Sequence, residues 1–100
     1  MTVESIIEGS KATIRMEGEL NAMTASELQD EVNALPAEVV DIDIDLTLTD
    51  YISSAGIRVF VGTARMTTSR GGKFRLLHPQ EKIYELFNMT GLTDAFTFVQ

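Results

Sequence analysis

Cysteine is absent from the 100 residues, which removes disulfides, thiolate nucleophiles and Cys-containing metal sites from consideration. Histidine occurs once, as His78 just before Pro79. A Ser-His-Asp triad would have to use it, and nothing in the sequence sets it near a candidate serine. Its expected role is that of a loop or cap residue. No apolar run approaches the roughly 20 residues that a membrane-spanning helix needs. The first residues, Met1-Thr2-Val3-Glu4, lack the basic-then-apolar order of a signal peptide. A cytoplasmic protein without a membrane partner is the expectation.

Other chemistries fail on spacing. Asp41, Asp43 and Asp45 match the opening of a D-x-D-x-D calcium loop, but that loop needs Gly at its sixth position and Glu at its twelfth. Leu46 and Ile52 stand there. Gly71-Gly72 is not followed in register by the Lys and Ser/Thr of a phosphate-binding loop. No catalytic constellation is visible, so neither an enzyme nor a cofactor is expected.

Acid is plentiful and base is scarce: the net charge is −7, which argues against a nucleic-acid partner. The imbalance is uneven. Residues 1–50 hold twelve acids and two bases, whereas residues 51–100 hold three acids and six bases. Drift in composition and a partner surface with a sign both account for that. With 44% hydrophobic and 23% charged residues the chain has the make-up of one globular domain spanning 1–100.

The most informative stretch runs from Val39 to Gly71. Val40, Ile42, Ile44, Leu46 and Leu48 alternate with Asp41, Asp43, Asp45, Thr47 and Thr49, the period of a strand with one apolar and one polar face. The alternation is expected to fail at Asp50-Tyr51-Ile52. A helix from about Ser54 to Arg70 follows, with Ile57, Phe60, Val61 and Ala64 inward and Arg58, Gly62, Arg65 and Ser69 outward. Gly71-Gly72 ends it.

Around this unit, residues 3–8 and 11–17 read as a hairpin turned by Gly9-Ser10, and Gly18 to Met23 as a loop. Thr24 and Glu27 match a capping box before a helix that Pro36 terminates. Phe74 and Leu76 belong to a further strand. Pro79 opens a third helix at a position where its missing N–H costs nothing, and Gly91 caps that helix. Phe96 to Val99 reads as a last edge strand. The order β-β-α-β-α-β-α-β implies parallel crossovers after an initial hairpin. The one-sided alternation places the helices on one face of the sheet.

Tyr51-Ile52-Ser53-Ser54-Ala55-Gly56-Ile57-Arg58 resembles the switch loop of the STAS domain family, the bacterial anti-sigma factor antagonists and their relatives. That loop often reads Asp-Ser-Ser/Thr-Gly-Leu, with the serine after the Asp as phosphoacceptor. Aligned on Gly56, Ser54 falls on the acceptor, Ser53 on the family Asp and Ala55 on the second hydroxyl position. Gly18-Glu19-Leu20-Asn21 is similar to the family's Gly-Glu-Leu-Asp loop, with Asn for Asp. Phe87-Asn88-Met89-Thr90-Gly91-Leu92 is similar to a Phe-x-x-Thr/Ser-Gly-Leu segment near the family C-terminus.

The resemblance covers nearly the whole chain. It implies an α/β STAS-like single domain, a mixed sheet of four to five strands with helices packed on one face. The family's usual C-terminal helix is expected to be absent. It also implies an anti-sigma factor antagonist-like regulator that binds an anti-sigma factor serine kinase, is released by phosphorylation of Ser54, and is reset by a phosphatase. Partner contacts are expected from Asn21, Tyr51, Ile52, Ser53, Arg58 and Arg65, with Tyr51 and Ile52 accessible and Ile57 and Val61 buried. Without the resemblance, the two serines read as helix capping by one of them; with Ser54 set on the acceptor position, Ser53 becomes the better cap. A STAS module that binds a ligand or scaffolds a complex without phosphorylation is the alternative.

Overall fold

A computed structural model describes residues 2–100. The elements follow the expected order: β1 (Thr2–Glu8), β2 (Lys11–Leu20), α1 (Ala22–Asn33), β3 (Asp41–Ile52), α2 (Ser54–Ser69), β4 (Phe74–Leu77), α3 (Glu81–Met89) and β5 (Thr97–Val99). The strands form one sheet in the order β1-β2-β3-β4-β5. Only β1 and β2 pair antiparallel, through the Gly9-Ser10 turn; β2, β3, β4 and β5 run parallel.

All three helices lie on one face. Ala25, Leu28 and Val32 of α1, Phe60 of α2 and Ile83 and Phe87 of α3 share one core with Ile14, Met16, Ile42, Ile44 and Leu76 of the sheet. The middle of that core is aromatic: Phe60 stacks on Phe87 with centroids 6.4 Å apart, and Phe96 meets Phe60, Phe74 and Phe87 edge-on.

The opposite face carries no helix and is laced by charge. Asp43 accepts hydrogen bonds from Arg75 at 2.9 and 2.7 Å and lies 3.0 Å from the Lys11 ammonium. These neighbours leave Asp43 only 3% exposed. Burial opposes its charge, but the hydrogen bonds and charges of Arg75 and Lys11 outweigh that cost and hold its carboxyl below the ordinary range.

Several local expectations give way to finer geometry. β2 runs through Gly18 and Glu19 to Leu20, so the expected loop is strand. Asn21, not Thr24, is the N-cap of α1; Thr24 is the third helical residue and closes the capping box from within. Pro79 stands just outside α3, whose cap position is Gln80.

The largest departure is in β3. Its alternation fails at Leu46-Thr47, before Asp50. Arg15 pairs with Asp45 but Glu17 with Leu48, and Gly18 pairs with Thr49 but Glu19 with Tyr51. Each extra residue reverses which face the next side chain takes. Asp45 fixes the first bulge by accepting from the Thr47 N–H and hydroxyl at 3.0 and 2.6 Å. Leu48 is therefore turned outward, and Thr49 is buried with its hydroxyl donating to the Met16 carbonyl at 2.9 Å.

α2 is also rolled from its expected orientation. Val59, Phe60, Thr63 and Thr67 are its buried residues along with Gly56, and Ile57 and Val61 are half-buried. Thr63 and Thr67 enter the interior because their hydroxyls donate back to the carbonyls of Val59 and Ala64.

Candidate functional site

β2 and β3 are parallel neighbours, so their C-terminal ends finish together and α1 and α2 start side by side. The Ser53 N–H donates to the Leu20 carbonyl at 2.8 Å, which ties the two strand ends together one residue before α2 and two before α1. Crevices outside the carboxyl ends of parallel strands are where α/β folds commonly bind.

The two caps differ in completeness. Asn21 Oδ1 accepts from the N–H groups of Met23 and Thr24, both at 3.0 Å, and the Asn21 N–H donates to Thr24 Oγ1 at 2.8 Å. Thr24 Oγ1 also donates to the Glu19 carbonyl at 2.7 Å. Asn21 is thus held by its own helix. Ser53 caps α2 through a single bond, its Oγ accepting from the Gly56 N–H at 3.3 Å. Ser54 follows as the first helical residue, exposed and with no side-chain role in the cap.

Neither helix has an acidic residue in its first turn, so two positive helix ends lie together without a carboxylate of their own first turns. Arg58, one turn beyond Ser54, is exposed, as is Arg65 two turns further; neither joins an ion pair among the described residues.

Close packing sets the position of this edge. A Cβ on Gly56 would lie 2.6 Å from Leu20 Cδ2 and 3.2 Å from Ile52 Cγ2, so the first turn of α2 rests directly on the ends of β2 and β3. Ile52 is the residue it rests on. Expected to be accessible, Ile52 is 3% exposed, because the second bulge of β3 turns it inward and Tyr51 outward. Tyr51 is 49% exposed.

The structure brings Asn21, Tyr51, Ser53, Ser54 and Arg58 to one end of the domain; Arg65 lies further along α2. It adds two residues that the sequence reading passed over. Met23, in the first turn of α1, is 83% exposed; its place next to the Asn21 cap was the only available signal. Leu48 is exposed and was hidden by the bulge. Gln80 also reaches this end, donating to the carbonyls of Thr47 and Thr49 at 3.2 and 3.0 Å, which occupies acceptors on β3 that β4 ends too soon to meet.

Among the described residues there is no cluster of potential metal ligands and no helix long and apolar enough to cross a membrane. Comparisons with known proteins agree with this architecture. The STAS domain model matches residues 3–100. The chain is similar to the anti-sigma-B factor antagonist of Bacillus subtilis (strain 168), 33% identical over 81 residues, which is 81% of this chain and 74% of the relative. It is also similar to that of Listeria monocytogenes, 32% identical over 78 residues, 77% of this chain and 68% of the relative.

Solved structures share the fold. An anti-sigma factor antagonist from Mycobacterium paratuberculosis superposes with a TM-score of 0.83 at 20% identity, over 98% of this chain and 84% of that one. The anti-sigma factor antagonist SpoIIAA in its unphosphorylated form gives 0.78 at 16% identity, over 99% and 88%. With a family model matched from Val3 to Gln100 on this sheet and these helices, the chain belongs to the STAS domain family.

Proposed function

We propose that this protein is an anti-sigma factor antagonist that binds an anti-sigma factor serine kinase through the end of the domain where α1 and α2 begin. Phosphorylation of Ser54 ends the interaction, and a phosphatase restores it. The observation that carries the reading is the division of labour between the two serines. Ser53 holds the cap of α2, whereas the neighbouring Ser54 is exposed and takes no part in capping. A phosphate can therefore be added to Ser54 without unmaking the helix start.

The physics of the switch follows. A phosphoserine carries about −1.5 to −2 charges. At the first residue of α2 that charge meets the positive helix end and has Arg58 one turn away. The fold tolerates it. A partner seated over Tyr51, Ser54 and Met23 meets new bulk and charge at the centre of its contact, and leaves. Binding in the unphosphorylated state frees the sigma factor held by the kinase. On this reading the protein works in the cytoplasm, supplies no catalytic group and is the kinase's substrate. The names of its relatives support the antagonist role.

A second reading is favoured by one feature. Ser53 stands where the family loop often carries Asp, and its hydroxyl is committed to the cap. A module that binds without being phosphorylated has no need of the acidic neighbour. The two readings separate on incubation of wild type, Ser53→Ala and Ser54→Ala with the anti-sigma factor kinase of the same organism and ATP, followed by mapping of the phosphate by mass spectrometry. Label on wild type and Ser53→Ala, absent from Ser54→Ala, is expected. Absence of label from all three, with binding unaffected by ATP, overturns the switch in favour of the second reading.

A further inference from the structure

The end of the domain away from Ser54 carries a cleft that the antagonist reading does not use. It has a volume of about 800 Å³, within the range of small-molecule sites, and lies roughly 20 Å along α2 from Ser54 at about 1.5 Å per residue. Its origin is a mismatch of strand ends. β4 begins at Phe74, but β5 pairs only from Arg75 onward. The sheet is notched beside Phe74, and the notch joins the charged, helix-free face to the apolar face beneath α2.

Two unlike walls meet there. One is apolar: Phe74, Phe96, Ala64 and Ala95. Phe96 is the partly exposed member of an aromatic cluster whose other rings, Phe60, Phe74 and Phe87, are buried. The aromatic core thus opens to solvent at this cleft. The other wall is polar, with Lys11, Lys73 and Arg75 beside Asp41 and Asp43, and Thr68 and Thr97 also line the cleft, whereas Thr67 spends its hydroxyl on the Ala64 carbonyl.

The charges do not cancel. Asp43 is shared by Lys11 and Arg75, Asp41 Oδ1 accepts from the Lys73 backbone N–H at 2.8 Å, and the Lys73 ammonium joins no ion pair among the described residues. A cleft with a net positive lining sits in a chain of net charge −7. Residues 51–80, which supply most of it, hold five bases and no acid.

We infer that this cleft is a binding site for a small aromatic anion, its ring against Phe74 and Phe96 and its carboxylate, phosphate or sulfonate at Lys73 and the hydroxyls of Thr68 and Thr97. A cation would face three bases against two carboxylates, of which Asp43 is already held by Lys11 and Arg75, and a fully apolar ligand would leave the Lys73 ammonium desolvated without a partner. The site is independent of the switch at Ser54 and stands whether or not that serine is phosphorylated.

The test is a titration of the isotope-labelled protein with anilinonaphthalene sulfonate, followed by two-dimensional amide NMR, beside the same titration with phenylnaphthylamine, which lacks the sulfonate. Shifts are expected at Thr67, Thr68, Lys73, Arg75 and Thr97, with none at Ser53 to Ile57. Lys73→Glu should weaken binding by about tenfold, the worth of one charge-assisted hydrogen bond. Ala95→Trp, at an exposed position, should block it by filling the cleft. Both variants should melt like wild type, so that lost binding is not lost fold. The inference is overturned if the shifts centre on Met23, Leu48 and Tyr51, if the neutral analogue binds as well as the sulfonate, if Lys73→Glu leaves the affinity unchanged, or if millimolar probe shifts nothing.

Discussion

Two glycines of α2 offer a controlled measurement of how tightly the switch end is packed. Gly62 faces solvent, and a Cβ there has nothing within 4 Å. Gly62→Ala should therefore show only the gain in helix propensity, about 0.8–1 kcal/mol for an interior position. At Gly56 the same methyl lies 2.6 and 2.7 Å from Leu20 Cδ2 and Cγ, about 0.8 Å short of ordinary contact. Leu20 is fully buried and cannot swing into solvent. Either its rotamer or the first turn of α2 must shift, a strain of roughly 1–3 kcal/mol, against a propensity gain smaller than at Gly62 because Gly56 lies in the first turn. Gly56→Ala should be destabilised on balance, and the two variants should differ by roughly 2–3 kcal/mol. For a domain of this size that separates their melting temperatures by about 10–20 °C. Urea unfolding of the three proteins in one buffer measures it. Equal stabilisation by both alanines would refute the packing argument and with it the claim that α2 is seated on Leu20. Gly56→Ala should also move Ser54 relative to Asn21 and Tyr51, so kinase labelling should fall even where the variant is folded.

The capping assignment predicts that Ser53→Ala costs about 0.5–2 kcal/mol, whereas Ser54→Ala stays within about 0.5 kcal/mol of wild type; chemical denaturation distinguishes them. Ser54→Asp should fold as well, since a negative charge in the first turn is favourable by roughly 0.3–1 kcal/mol, and should bind the kinase more weakly in a pull-down. Alanine at Tyr51 or Arg58 should weaken partner binding with little change in melting temperature; lost stability would make these residues structural. Asp43 governs acid behaviour. Its folded carboxyl titrates below the ordinary value of about 4, so its contribution is complete above that value and is lost as pH falls through the folded pKa. Urea midpoints followed downward from pH about 5 should therefore drop more steeply for wild type than for Asp43→Asn.

Much of the architecture was legible from local rules, because those rules act over a few residues. The alternation Ile42, Ile44, Leu46 marked a strand buried on one face, and Gly9-Ser10 marked the hairpin. Gly71 marked the end of α2 through a left-handed residue, φ +77°, that lets Gly72 donate back to the Thr67 carbonyl at 2.8 Å. A serine cap at the start of α2 was also readable, and the resemblance, by setting Ser54 on the acceptor position, pointed to Ser53 as that cap. The bulges in β3 were not. Whether Leu46 and Thr47 both stand opposite Met16 depends on the register of β2 against β3, and that pairing joins residues some thirty positions apart. Ile52 was misplaced for that reason alone, and Leu48 and Thr49 with it. Thr63 and Thr67 were misjudged differently: their polarity is cancelled by hydrogen bonds to their own helix, which a hydropathy pattern does not register.

By itself the sequence determined the element order, the one-sided sheet, the two hydroxyls at the start of α2 and a basic second half in an acidic chain. These follow from periodicity, capping chemistry and composition, each a short-range property. Only the tertiary structure decided what stands beside what. It brought Asn21 next to Ser53, because parallel strands of matched end-point finish together. It set Asp43 between Lys11 and Arg75, because Arg75 is its register partner on β4 and Lys11, opposite Asp41 on β2, reaches it diagonally. It opened the notch beside Phe74, with Phe96 on its other side, because β5 pairs only from Arg75 onward. Each is a juxtaposition of distant residues, settled when the sheet closes and the helices seat on it.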